Sequence, residues 1–153
     1  MKKIAALGLA LTLFAVPAFA HSYKLGSVEI GHIWARATAA NAQTASLYVP
    51  LLNEGKEPDQ FLGGSTAVAD TVSIHESYEE NGVSKMRTLD NIELAPNKPV
   101  AMRPGGKHLM LTGFKKQLND GDKFPITLRF AKAGSIEVHV MVHAAGATSG
   151  GHH

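Results

Sequence analysis

The chain has 153 residues, with 15 Lys+Arg, 13 Asp+Glu, 8 His and no Cys. That length suits one domain able to bury a core without disulfide staples. Hydrophobic residues at 44% and charged residues at 18% exclude wholesale disorder, and the missing thiols exclude thiolate zinc sites, iron–sulfur clusters and Cys nucleophiles.

Residues 1–20 read as an export signal. Lys2 and Lys3 form a short basic start, Ile4 to Val16 is an apolar run too short to span a bilayer comfortably, and Ala18-Phe19-Ala20 is an A-x-A cleavage signal. Cleavage after Ala20 is expected to leave a chain beginning at His21, stripped of two basic residues and no acid, so its charges balance with His neutral. A neutral exported domain carries no basic footprint for nucleic acid. No later stretch is apolar and long enough to span a membrane once the signal is removed, and the expected location is the periplasm.

From residue 21 the chain reads as strands. Val28-Glu29-Ile30 and Ile33-Trp34-Ala35 are short β-type runs, and Ser46 to Leu52 is another, ended by the turn cluster Asn53 to Pro58. Phe61-Leu62 precedes Gly63-Gly64. Thr71 to Tyr78 alternates, Asn81-Gly82 is a strong hairpin signal, and Val83 to Leu89 returns. Val100 to Met102 runs into the turn Arg103-Pro104-Gly105-Gly106, followed by the short strand His108 to Leu111. Phe124 to Phe130 and Ile136 to Val142 close the domain around Ala133-Gly134. Many short strands divided by Gly, Pro and Asn turns predict an all-β antiparallel sandwich or barrel over residues 21–143. Residues 144–153 read as a flexible, His-containing tail. Trp34, Phe61 and Met102 are expected in the core, and His32 is read as structural.

Two short stretches carry soft metal ligands. With Asn81-Gly82 as a two-residue loop, Glu80 faces Val83 and Ser77 lies opposite Met86. His75 then projects on the same face as Met86, diagonally across the ladder at roughly 7–8 Å between backbones. In His108-Leu109-Met110-Leu111 the two leucines share one face and suit the core, sending His108 and Met110 outward or to a rim. Two neutral imidazoles and two thioethers form a donor set suited to Cu(I); zinc prefers harder or anionic ligands, and magnesium and calcium prefer oxygen. Thioethers also escape the disulfide chemistry of an oxidising compartment.

The four residues read H-x10-M-x21-H-x-M. With His32 to Ala37, Asn81-Gly82-Val83, Pro104 to Leu111 and Gly121-Asp122, this spacing resembles the signature of the PCu(A)C family of periplasmic copper chaperones. The resemblance implies a cupredoxin-like β-barrel binding Cu(I) through His75, Met86, His108 and Met110. It also implies copper delivery to the CuA centre on subunit II of cytochrome c oxidase, alongside a Sco-type thiol-disulfide protein. The family often has Met directly after the first His; here that position is Glu76. Strand alternation sets Glu76 on the face opposite His75, so the four-residue set is expected to survive the change.

The reading is a carrier and not an enzyme. Four protein ligands leave no open position for a substrate, blue-copper electron transfer needs a Cys thiolate, and no nucleophile elbow or P-loop is present. The alternative is a periplasmic copper-storage or resistance protein with the same site and no dedicated oxidase acceptor. A second, nitrogen-rich Cu(II) site is also expected. In Glu137 to His143 the valines 138, 140 and 142 suit the core, leaving His139, Met141 and His143 on the other face, with His21 and tail residues His152 and His153 as further donors.

Overall fold

The computed structural model describes residues 22–150, and among these there is no helix. The strands are β1 (Tyr23–Leu25), β2 (Val28–Ile30), β3 (Trp34–Arg36), β4 (Thr44–Tyr48), β5 (Leu51–Asn53), β6 (Asp59–Ser65), β7 (Ala69–Glu80), β8 (Val83–Leu89), β9 (Ile92–Leu94), β10 (Lys107–Phe114), β11 (Lys123–Phe130) and β12 (Gly134–His143). The expected all-β class is therefore the observed one. The signal segment, its cleavage site, His21, His152 and His153 lie outside the described residues.

Nine strands form one sheet in the order β8-β7-β10-β4-β3-β12-β11-β6-β9, and β1-β2-β5 form a second. All pairings are antiparallel except β12 with β3, which is parallel and sets Met141 beside Trp34. That pairing joins strands about a hundred residues apart, and the antiparallel expectation did not contain it. The run Ser46 to Leu52 divides into β4 and β5 at Val49-Pro50, because proline has no N–H to give a ladder. Val100 makes only an isolated bridge to Leu51, so the expected strand at Val100 to Met102 is a loop.

The core follows from period-two alternation. Leu47, Leu109, Leu111, Phe61, Ile126, Leu128, Val138 and Val140 are buried from the sheet's inner face. Phe61 meets Phe130 with ring centroids 5.3 Å apart. Between Arg129 and Phe130 the β6–β11 register shifts, with Gly63 in the left-handed region at φ 94°. Gly63 also lies against β7, where a Cβ placed on it would sit 3.6 Å from Ile74 Cγ1. A Cβ on Gly64 would collide with the Thr127 carbonyl oxygen, so β6 and β11 approach here as only glycine allows.

Candidate metal centre

The site begins with the β7–β8 hairpin. Asn81 and Gly82 both have positive φ, 52° and 75°, as a two-residue primed turn requires. The turn locks the expected register: Glu80 opposes Val83, Ser77 opposes Met86, and His75 opposes Thr88. Met86 is thus two pairs along from His75 and on the same face. On the other side of β7 lies β10, where His108 directly opposes His75 and Met110 opposes Ser73. Three adjacent strands therefore carry His75, Met86, His108 and Met110 on one face. Leu109 and Leu111, on the reverse face of β10, are fully buried in the core.

The imidazoles of His75 and His108 lie with centroids 5.9 Å apart and planes inclined at 38°. A metal bonded at about 2 Å to one nitrogen of each ring holds the centroids roughly 5–6 Å apart, so the pair fits a shared ion. His108 Nδ1 lies 3.0 Å from the Gly106 carbonyl and donates to it, which leaves Nε2 as the lone-pair nitrogen. His75 Nε2 lies 2.8 Å from Ser73 Oγ, while its Nδ1 is buried without a hydrogen-bond partner. An unpartnered buried nitrogen on a ring that neighbours a second imidazole is suited to a metal. Burial, and secondarily the proximity of His108, push the His75 pKa below the ordinary imidazole value and keep the ring in its ligating neutral form.

The outward direction expected for this face holds, but its exposure is uneven. His108 is buried, with its ring 6.5 Å from that of Tyr48, whereas Met86 is 50% exposed. The site is closed at β10 and open at the edge strand β8. Met102 is buried in the core.

On the other face of the same strands, Glu76 receives Arg87 at 2.5 Å and Lys107 at 3.0 Å. These residues are the immediate neighbours of His75, Met86 and His108. The hydrogen bond from Arg87, then that from Lys107, holds the Glu76 carboxyl below the usual carboxylate range. Alternation was enough to place Glu76 on the face away from His75, and the hairpin register sets Arg87 opposite it; Lys107 needed the β7–β10 pairing.

The family model "Putative lipoprotein LpqE-like" matches residues 28–142. The chain belongs to this PCuAC-related family. Among curated proteins it is 30% identical over 144 residues to "Putative lipoprotein Lxx21020" of Leifsonia xyli subsp. xyli (strain CTCB07), covering 91% of this chain and 86% of the relative. It is 32% identical over 101 residues to "Uncharacterized protein RP573" of Rickettsia prowazekii (strain Madrid E), covering 63% and 56% of the two chains. Among solved structures, the copper-bound PCuAC domain from PmoF2 superposes with a TM-score of 0.71 at 31% identity, covering 81% of this chain and 98% of that domain. The apo form of the PmoF2 domain gives a TM-score of 0.71 at 32% identity, over 84% and 98%. The β-architecture is thus the cupredoxin-like fold of PCuAC domains.

Of the residues expected at a second site, His139, Met141 and His143 do lie on the outer face of β12, with Val138, Val140 and Val142 buried behind them. The reading of His32 as merely structural missed that its ring meets that of His143, with centroids 5.5 Å apart. The long-range parallel β3–β12 pairing makes that contact, and no local spacing signals it. The stretch expected as a free tail lies against the domain in its described part: Arg36 Nε donates to the Ala147 carbonyl at 2.7 Å.

Proposed function

We propose that this protein is an exported copper carrier that binds one Cu(I) through His75, Met86, His108 and Met110 and passes it to an acceptor protein. The observation that carries this reading is the placement of His75 directly opposite His108, with both thioethers on the same face of three adjacent strands. Two neutral nitrogens and two soft sulfurs satisfy Cu(I) without a charged ligand. The similarity to a copper-bound PCuAC domain supports the cargo.

The uneven exposure of the site suits transfer. His108, anchored by Gly106 and screened by Tyr48, is the fixed part of the donor set. Met86 stands half in solvent on an edge strand, and its thioether is the ligand an incoming donor can displace first. Exchange then proceeds one ligand at a time, and the copper keeps its oxidation state throughout. The proposed acceptor is the CuA centre of cytochrome c oxidase subunit II, with a Sco-type thiol-disulfide protein acting alongside, and the proposed location is the periplasm after cleavage following Ala20. Relatives carrying lipoprotein names support export, and among the described residues no helix is long and apolar enough to cross a membrane.

Met86→Ala and Met110→Ala are expected each to weaken Cu(I) binding at least about tenfold while leaving the thermal midpoint nearly unchanged. A competition titration showing native affinity in both variants removes the site assignment. Delivery is tested by CuA-oxidase activity in a deletion strain at limiting copper: a loss restored by the native gene but not by Met86→Ala supports delivery, and unchanged activity points to storage or resistance.

A further inference from the structure

A second group of metal-ligating side chains gathers where β12 runs beside β3. The Met141 N–H donates to the Ile33 carbonyl at 3.0 Å, continuing the parallel pairing that aligns Met141 with Trp34. This brings His32, just ahead of β3, onto the outer face of β12. His32 Nε2 lies 3.1 Å from His143 Nε2. His32, His139 and Met141, with Tyr23 and Lys123, line one cleft of about 120 Å³. The chain also returns to this place near its end: a Cβ built on Gly150 would lie 2.8 Å from His32 Cδ2 and 2.7 Å from Trp34 Cδ1.

Two imidazole nitrogens at 3.1 Å share one proton, one ring donating and the other accepting. Two nitrogens bound to one metal sit almost as close: bonds of about 2.0–2.1 Å at a tetrahedral angle separate them by roughly 3.3 Å. A metal ion can therefore take the place of the shared proton with little ring movement. The donor ring keeps that proton by carrying it on Nδ1 instead, so both rings ligate in the neutral form and no net proton is released.

We propose that His32 and His143 form a second metal site, selective for Cu(II) among divalent ions, with Met141 and His139 beside it. Among the described residues, no three His, Asp or Glu side chains stand close enough to hold a metal together. The described residues thus offer the ion two nitrogens, with solvent or the Met141 thioether to complete the site. Imidazole pairs of this kind bind Cu(II) ahead of the other divalent first-row metals. The site is separate from the Cu(I) centre, because the rings of Trp34 and Tyr48 stand between them. Centroid separations are 6.0 Å from His143 to Trp34, 4.5 Å from Trp34 to Tyr48 and 6.5 Å from Tyr48 to His108.

The test is a Cu(II) titration of the purified protein followed by electron paramagnetic resonance, with Zn(II) as competitor. The native protein is expected to take one Cu(II) with two-nitrogen hyperfine structure. His32→Gln and His143→Gln, singly and together, are expected to weaken that binding at least about tenfold while Cu(I) affinity at the first site stays native, which also certifies the fold. The pair Met86→Ala with Met110→Ala is expected to leave the Cu(II) signal intact, so failure at one site is distinguishable from failure at the other. An unchanged signal and affinity in the His32→Gln, His143→Gln protein overturns the proposal. So does loss of the signal on changing His21, His152 and His153 to Ala when it survives His32→Gln.

Discussion

His75 shows how much a single side chain owes to its neighbours. Its ring has Ser73 on one nitrogen, an unpartnered second nitrogen, and His108 opposite. Burial first and His108 second lower its pKa. As pH falls, the unfolded chain therefore takes up the proton before the folded one. The stabilising effect of keeping this ring neutral is full above the ordinary imidazole value of about 6.5 and is lost as pH drops below it towards the lowered folded value. Cu(I) binding follows the same logic, because the imidazoles must be neutral to ligate. Affinity is expected to hold at neutral pH and to decline on acidification, with the His75 contribution persisting below the free-imidazole range. Competition titrations from neutrality to about pH 5 check this, and a flat profile would argue against imidazole ligands. That His75 shares a face with Met86, and His108 with Met110, was legible from alternation and the Asn81-Gly82 turn. The burial of His108 was not, because it depends on Tyr48 from a distant strand.

At the scale of elements, three strands are held in register on two faces at once. One face carries the four proposed ligands, and the other carries Glu76 with Arg87 and Lys107. Pairs as exposed as these are worth about 0.2–1 kcal/mol each. Glu76→Gln is accordingly expected to weaken Cu(I) binding about two- to fivefold, and added salt should weaken the native protein towards the variant while leaving the variant unmoved. Equal salt dependence in both would show that the triad does not position the ligands. A second carboxylate secures the β11–β12 hairpin. Burial pushes the Asp59 pKa up, but N–H donors of Lys132, Gln60 and Ala133 outweigh it and leave the pKa lowered. Its contribution is therefore present above the unfolded carboxylate value of about 3.9 and is lost as pH falls through the lower folded value. Asp59→Asn is expected to cost about 1.5–3 kcal/mol at neutral pH and progressively less in acid, as measured by denaturant unfolding. The hairpin turn and its register were readable in advance, since Asn81-Gly82 selects the turn type and the turn type selects the pairing.

For the whole molecule, the inner and outer faces of the bent sheet divide the labour. The inner face supplies stability, with Phe61 against Phe130 at its centre. The outer face of β8, β7 and β10 carries the proposed copper ligands. Phe61→Ala is expected to destabilise the protein by about 3–5 kcal/mol while the folded fraction keeps native Cu(I) affinity. Denaturant unfolding together with a Cu(I) titration separates the two, and a parallel loss of affinity would show that core and site are coupled.

The sequence by itself determined what acts over a few residues. It carried the strand periodicity, the turn at Asn81-Gly82, the face each of His75, Met86, His108 and Met110 occupies, and the burial of Val138, Val140 and Val142 behind His139, Met141 and His143. These follow from backbone alternation and local turn geometry, which neighbouring residues dictate. Only the tertiary structure decided that His108 sits opposite His75 and that His32 meets His143. Both meetings depend on pairings between strands distant in sequence, one of them parallel. Such pairings are selected by burying the inner face of the whole sheet together, and no short window of residues contains that energy.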